Sequence, residues 1–196
     1  MSRDVLRVLT NFGDTAVVVP LATLLVLLIW KLESRQAAWF LARASALCLV
    51  MMAALKFVLL SCGHATGLPA SSPSGHAALT LFFYGALATI AYVRLGRWLK
   101  IVTVVLASLL IAAVAVSRVT LDAHTPLEVV TGLFVGLLSL LWFVKSYAEL
   151  PHAPLRLPLV TVVLVPVLLL TLGKQLPAER ALRYLVPNFQ VSVCPI

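Results

Sequence analysis

Six apolar runs, each about long enough to cross a bilayer as a helix, dominate this chain of 196 residues. They cover roughly Thr15–Trp30, Ala37–Leu60, His76–Val93, Leu99–Val116, Pro126–Val144 and Leu157–Leu172. A hydrocarbon core roughly 30 Å thick is spanned by about 20 residues of α-helix, and helix is favoured there because it satisfies its own backbone polar groups. The pattern predicts an all-α polytopic membrane protein, a six-transmembrane-helix bundle with short loops. Composition excludes a soluble domain: 62% of residues are hydrophobic and 11% charged, with a mean hydropathy of +1.07. Residues 1–196 therefore read as one membrane domain, with an interfacial segment over 1–14, the six helices over 15–172 and an external tail over 173–196.

Within the first segment Val5, Leu9 and Phe12 recur at helical spacing with Arg3, Asp4 and Arg7 opposite, which suits a short helix lying in the interface. The apolar run behind it lacks a small-residue cleavage site and reads as a retained helix. Pro20, Pro158 and Pro166 fall inside apolar runs, where a bundle tolerates them as kinks. Pro177 to Val186 in the tail can form one more surface helix.

The net charge of +8 comes from Lys and Arg scattered singly through short loops. With no basic block and no interleaved aromatics, it points to topology and anionic lipid, not to nucleic acid. Eight basic residues follow helices 1, 3 and 5, whereas the opposite side holds six, of which its two internal loops contribute only Arg118. The positive-inside rule then predicts that the loops after helices 1, 3 and 5 are cytoplasmic. The loops after helices 2 and 4 lie together on the external face, periplasmic if the membrane is a bacterial inner membrane. Cys62 and Cys194 share that face, where a disulfide and two unpaired thiols are both open. Cys48, Cys62 and Cys194 have no spacing that signals zinc or a redox dithiol.

Polar chemistry is concentrated in those two external loops. In Ser117-Arg118-Val119-Thr120-Leu121-Asp122-Ala123-His124-Thr125-Pro126-Leu127-Glu128, His124 stands beside Asp122 and four residues before Glu128. Either carboxylate can orient an imidazole and stabilise its charged form, which is what a nucleophilic histidine needs. Thr125-Pro126-Leu127-Glu128 is also a capping box, and capping alone would account for Glu128; the two roles are compatible. Arg118 is either a snorkelling anchor or, by its fork of donors, a ligand for phosphate oxygens. In the other loop, Ser74, Gly75 and His76 open an apolar run, so their turn offers backbone N–H groups at a helix N-terminus, a ready anion site. His76 is placed to give a proton to a departing oxygen, or simply faces water. Lys56 lies inside helix 2 near its end, where an ammonium is costly unless paired or snorkelling. His64 is close enough in the loop to touch a ligand, and His152 reads as solvated. Nothing in the sequence calls for a metal, nucleotide or haem cofactor.

Lys56, then Pro73-Ser74-Gly75-His76, then Ser117-Arg118 with five residues before His124, together resemble the three-part signature of the type 2 phosphatidic acid phosphatases (PAP2), lipid phosphatases related to vanadium haloperoxidases. The resemblance runs from Lys56 to about Gly136. It implies metal-independent chemistry in which His124 attacks phosphorus to form a phosphohistidine and His76 protonates the leaving group. It also implies that Lys56, Arg118, Ser74 and the amide of Gly75 hold the phosphoryl oxygens, and that Glu128 orients His124. The implied partner is a lipid phosphate within membrane lipid: phosphatidic acid, phosphatidylglycerol phosphate or a polyprenyl diphosphate. A phosphotransferase using the same phosphohistidine and a silent binder of anionic lipid are the alternatives. Two departures stand out. The family's arginine-proline pair after the lysine is replaced by Gly63 and His64, and the family's usual aspartate by Glu128. Removing a charged group from a desolvated phosphate site costs on the order of 2–4 kcal/mol of transition-state stabilisation if nothing replaces it.

Overall fold

The computed structural model describes residues 3–62, 72–151 and 157–174, and these contain helices and no strand. Seven helices follow in order: α1 (Arg3–Asn11), α2 (Thr15–Leu32), α3 (Arg35–Cys62), α4 (Gly75–Arg94), α5 (Arg97–Thr120), α6 (Pro126–Ala148) and α7 (Leu157–Thr171). Among the described residues, five stretches are long and apolar enough to cross a membrane: Arg3–Leu32, Arg35–Leu60, Gly75–Arg94, Arg97–Thr120 and Pro126–Ala148. The chain is an integral membrane protein built as a helical bundle. The sixth expected span is α7, whose 15 residues rise only about 22 Å, less than the hydrocarbon core.

The helix starts are set by side-chain caps. Asp14 Oδ1 accepts from Ala16 N at 2.8 Å to open α2, Ser34 Oγ accepts from Ala37 N at 3.0 Å to open α3, and Ser74 and Thr125 cap α4 and α6. Each satisfies an amide that would otherwise lack a partner at the end of an apolar helix. α2 continues through Pro20 and α7 through Pro166. α1 is the expected short amphipathic helix, but its inward face is Leu6 and Thr10, while Val5 and Val8 are exposed. The reason is its packing on α5, which draws Thr10 to the end of that helix.

α4 is the most enclosed of the candidate spans and α5 the least. α4 packs on α5 and α6, with α2 and α3 beside it and α7 against α2. Val17, Leu21, Leu25 and Ile29, four residues apart along α2, form one buried stripe of the core. The α4–α6 contact is close because α6 presents glycine. A Cβ at Gly132 would strike the Ser74 carbonyl oxygen, and one at Gly136 the Ala78 carbonyl oxygen. Small residues at this spacing let two helix backbones meet, the usual basis of packing in a membrane. Here they also bring the first turn of α6 against the first turn of α4.

At the other end of the bundle Glu33, Arg94 and Tyr147 join the ends of α2, α4 and α6. Arg94 pairs with Glu33, both side chains being buried, and its Nε donates to the Tyr147 hydroxyl at 3.2 Å. The tyrosine hydroxyl in turn donates to Glu33 Oε1 at 3.2 Å. All four tryptophans of the chain fall toward this end: Trp30, Trp39, Trp98 and Trp142. Arg35 lies over Trp30 at 6.0 Å, Arg43 over Trp39 at 5.4 Å and Lys100 over Tyr92 at 4.7 Å. The tail beyond Lys174, with the surface helix expected at Pro177 to Val186, lies outside the described residues, as do Cys194 and the side chain of Cys62. Cys48 is a buried free thiol.

Candidate active site

Glu128 organises the site. As the third residue of α6 it completes a capping box: Thr125 Oγ1 accepts from Glu128 N at 3.3 Å, and Glu128 Oε2 accepts from Thr125 N at 2.8 Å. The same Oε2 lies 3.0 Å from His124 Nδ1, while Oε1 accepts from Ser72 N at 2.7 Å. Its main-chain oxygen accepts from Ser74 N at 3.0 Å. One carboxylate thus makes both the capping contact and the histidine contact, and it also fastens the Ser72–His76 segment to the His124 loop.

His124 is set by the turn that closes α5. The amides of Ala123 and His124 both donate to the Arg118 carbonyl, each at 3.1 Å, and Asp122 takes the left-handed conformation (φ 54°) that reverses the chain. The His124 side chain is only 6% exposed. Burial lowers its pKa below the ordinary histidine value; Arg118 and Lys56 lower it further, and the Glu128 hydrogen bond opposes them. The ring is therefore neutral near pH 7. With Glu128 fixing the proton on Nδ1, the Nε2 lone pair is available for attack.

The remaining candidates divide between those brought to this point and those turned away. Lys56 is buried near the end of α3, and its Cε lies 3.9 Å from where a Gly75 Cβ would be. Its stem thus runs beside the opening of α4. Ser74 is fully buried, its hydroxyl accepting from Ala77 N at 3.4 Å as the α4 cap. Arg118, in the last turn of α5, donates from Nη1 to Thr10 Oγ1 at 3.1 Å. His76 opens α4 with Nε2 3.4 Å from Asp14 Oδ2. Asp122 does not orient His124: its side chain is 86% exposed and stands 3.9 Å from Arg3, because the left-handed turn carries it outward. His64 and Gly63 lie outside the described residues, and so does His152. An open depression of about 380 Å3, lined by Val119, Asp122, Ala123, His124, Thr125, Pro126 and Glu128, adjoins the histidine.

Thr10, Asp14 and Ser72 were not singled out by the sequence. Asp14 carries a cap signal, an acid directly before an apolar run, but nothing local reveals that its second oxygen faces a histidine 62 positions away.

Residues 57–151 match a family model, that of the PAP2 superfamily. Over this stretch the chain is similar to the PAP2 superfamily. The match begins one residue after Lys56 and contains Ser74, Gly75, His76, Arg118, His124 and Glu128. The PAP2 match supports a phosphatase-type activity. The chain is also similar to a protein of Klebsiella pneumoniae named "Uncharacterized 22.5 kDa protein in cps region", with 26% identity over 183 residues, 90% of this chain and 87% of that one. No solved structure matches. Thr10 and Asp14 lie outside the PAP2 match.

Proposed function

We propose that this PAP2-like protein is a metal-independent membrane phosphatase that hydrolyses a lipid phosphomonoester or diphosphate through a phosphohistidine. The observation that carries the reading is the double engagement of Glu128, which holds His124 by Nδ1 and the Ser72–His76 segment by backbone amides. A nucleophile and a candidate acid are thereby kept on one rigid frame, as efficient transfer requires.

In the first half-reaction His124 Nε2 forms a bond to phosphorus as the bond from phosphorus to the leaving oxygen breaks, and that oxygen takes a proton from His76. In the second, water attacks the phosphohistidine, gives its proton to His76, and inorganic phosphate departs with His124 restored. Lys56, Arg118 and the free amides at the start of α4 stabilise the charge that gathers on the phosphoryl oxygens. The substrate classes that suit short loops and a site at the end of an apolar bundle are phosphatidic acid, phosphatidylglycerol phosphate and polyprenyl diphosphates. Their tails remain in the bilayer while the headgroup reaches His124. The basic residues at the opposite end, among them Lys31, Arg35, Arg97, Lys100 and Lys145, support that end as the cytoplasmic interface by the positive-inside rule, and with it a site on the external face.

The test is phosphate release in detergent and EDTA from those three substrates, comparing the parent with His124→Ala. The expected result is release by the parent, blocked by vanadate, and none by the variant. No release by a folded parent, or equal release by His124→Ala, overturns the proposal.

A further inference from the structure

The junction between α1 and α2 is locked against the site more firmly than a connecting turn requires. Thr10 is joined to Arg118 at 3.1 Å, and the Phe12 carbonyl accepts from the Tyr84 hydroxyl at 3.2 Å. Gly13 is so close to α4 that an added Cβ would strike Thr80 Oγ1 and come within 2.9 Å of the His76 carbonyl oxygen. This close approach leaves Asp14 at the opening of α4, only 5% exposed. Its Oδ1 is held by Ala16 N at 2.8 Å, and its Oδ2 lies 3.4 Å from His76 Nε2.

Capping α2 needs one side-chain oxygen, which an uncharged Ser, Thr or Asn supplies as well as Asp does. A buried carboxylate is costly unless its charge is used. We propose that Asp14 is a positioning residue for His76, forming a second carboxylate–histidine pair beside that of Glu128 and His124. The proposal rests on the phosphatase reading above. The two pairs engage opposite ring nitrogens. Glu128 takes Nδ1 of His124 and leaves Nε2 for phosphorus; Asp14 takes Nε2 of His76 and leaves Nδ1 as the nitrogen that delivers the proton. That proton passes from Nδ1 to the leaving oxygen as its bond to phosphorus breaks, and returns from the attacking water. Among the described residues, the other charged or titratable groups around these ends of α3, α4, α5 and α6 are Lys56, Arg118, Asp122, His124 and Glu128. Asp14 lies outside the PAP2 match, so the N-terminal segment contributes it to this chain's own site.

A residue that acts through the general acid affects poor leaving groups selectively, because a good leaving group departs without a proton. The experiment measures kcat and KM for a long-chain alkyl phosphate and for p-nitrophenyl phosphate in the full-length protein, in the parent, Asp14→Asn, His76→Ala and the double variant. Asparagine caps as well as aspartate, so α2 is preserved. The expected result is a loss of roughly 10- to 100-fold in kcat/KM for the alkyl phosphate and less than about threefold for the aryl phosphate, because kcat/KM reads leaving-group departure and not the hydrolysis of the phosphohistidine that both substrates share. Asp14→Asn should add no loss to His76→Ala. Equal losses on both substrates, or no loss on either, overturn the proposal and leave Asp14 as a cap. Should the asparagine variant fail to give monodisperse protein, Asp14→Ser, which caps but is too short to reach His76, carries the same comparison. A parent that releases phosphate from neither substrate overturns the phosphatase reading itself.

Discussion

Glu128 Oε1 accepts the backbone N–H of Ser72 at 2.7 Å across 56 positions of sequence, so the carboxylate that orients His124 is attached to the segment carrying His76. Two effects follow from removing it: His124 loses the partner that fixes its tautomer, and the two loops lose their shared anchor. Glu128→Gln keeps the shape but cannot hold the proton on Nδ1 as a carboxylate does. A fall in kcat on the order of 10²- to 10⁴-fold is expected in the phosphate-release assay, comparable to losing the orienting acid of a hydrolytic triad. Glu128→Asp restores the residue usual at this position of the family, but its shorter arm cannot span both His124 and Ser72 here. We expect it to lose about tenfold or more. Full activity in Glu128→Asp would mean that the Ser72 contact is dispensable.

The pH profile is a second check. In the proposed mechanism His124 attacks as the neutral ring, and burial together with Arg118 and Lys56 lowers its pKa. The acidic limb of kcat/KM is therefore expected below the ordinary histidine value of about 6.5. Replacing Lys56 by Met removes one of the cations that disfavour protonation, so the limb should move to higher pH as overall activity falls. The linkage to stability has a definite sign. With the folded pKa below the unfolded one, the stability that depends on neutral His124 is fully present above the unfolded pKa. It is lost as pH falls toward the folded pKa. An acidic limb that stays in place in Lys56→Met would separate Lys56 from His124.

The apolar runs made the helices legible because a bilayer leaves a 20-residue apolar segment little alternative to helix. The site was legible where its parts are local: the Thr125–Glu128 box and the four-residue step from His124 to Glu128 belong to one turn of α6. What could not be read are contacts that tertiary packing creates. The Asp14–His76 contact, the Arg118–Thr10 bond and the Arg94–Glu33 pair all join residues more than 60 positions apart. The inward face of α1 differs from the expected one because packing on α5, with Thr10 bonded to Arg118, decides which side turns in. α6 runs on to Ala148 because Tyr147 is drawn into the core, stacked 5.2 Å from Phe143.

Gly132 and Gly136 supply the close approach that joins the two halves of the site. Alanine at either would drive a methyl group into a backbone carbonyl, of Ser74 or Ala78, which backbone cannot relieve by changing rotamer. Each substitution is expected to cost roughly 1–3 kcal/mol. Gly132→Ala should also lower kcat, because Ser74 and His76 would shift against His124. Gly96, with nothing within 4 Å, is the control, and Gly96→Ala should cost no more than about 1 kcal/mol, the preference for glycine over alanine at the α5 N-cap. Thermal unfolding in detergent, run beside the phosphatase assay, reads both effects. Equal melting of Gly132→Ala and Gly96→Ala would contradict the close packing.

The cluster of Glu33, Arg94 and Tyr147 separates stability from activity, because it closes the end of the bundle farthest from His124. Arg94→Ala leaves the Glu33 carboxylate buried without its cation, a change expected to cost about 3–5 kcal/mol. Tyr147→Phe removes one hydroxyl bonded to charged groups and should cost about 1.5–3 kcal/mol. Replacing the pair together, as Glu33→Gln with Arg94→Met, removes both charges at once and should recover much of the loss, since the expense lies in the unpaired charge and not in the absence of the pair. Per folded molecule, phosphate release should match the parent in all three, because α2, α4 and α6 are independently joined at the site end by Asp14, Ser74 and Glu128. Arg94→Ala melting with the parent would show that Glu33 reaches water or another partner. Lost activity at unchanged stability would instead mean that the two ends of the bundle are coupled through α4.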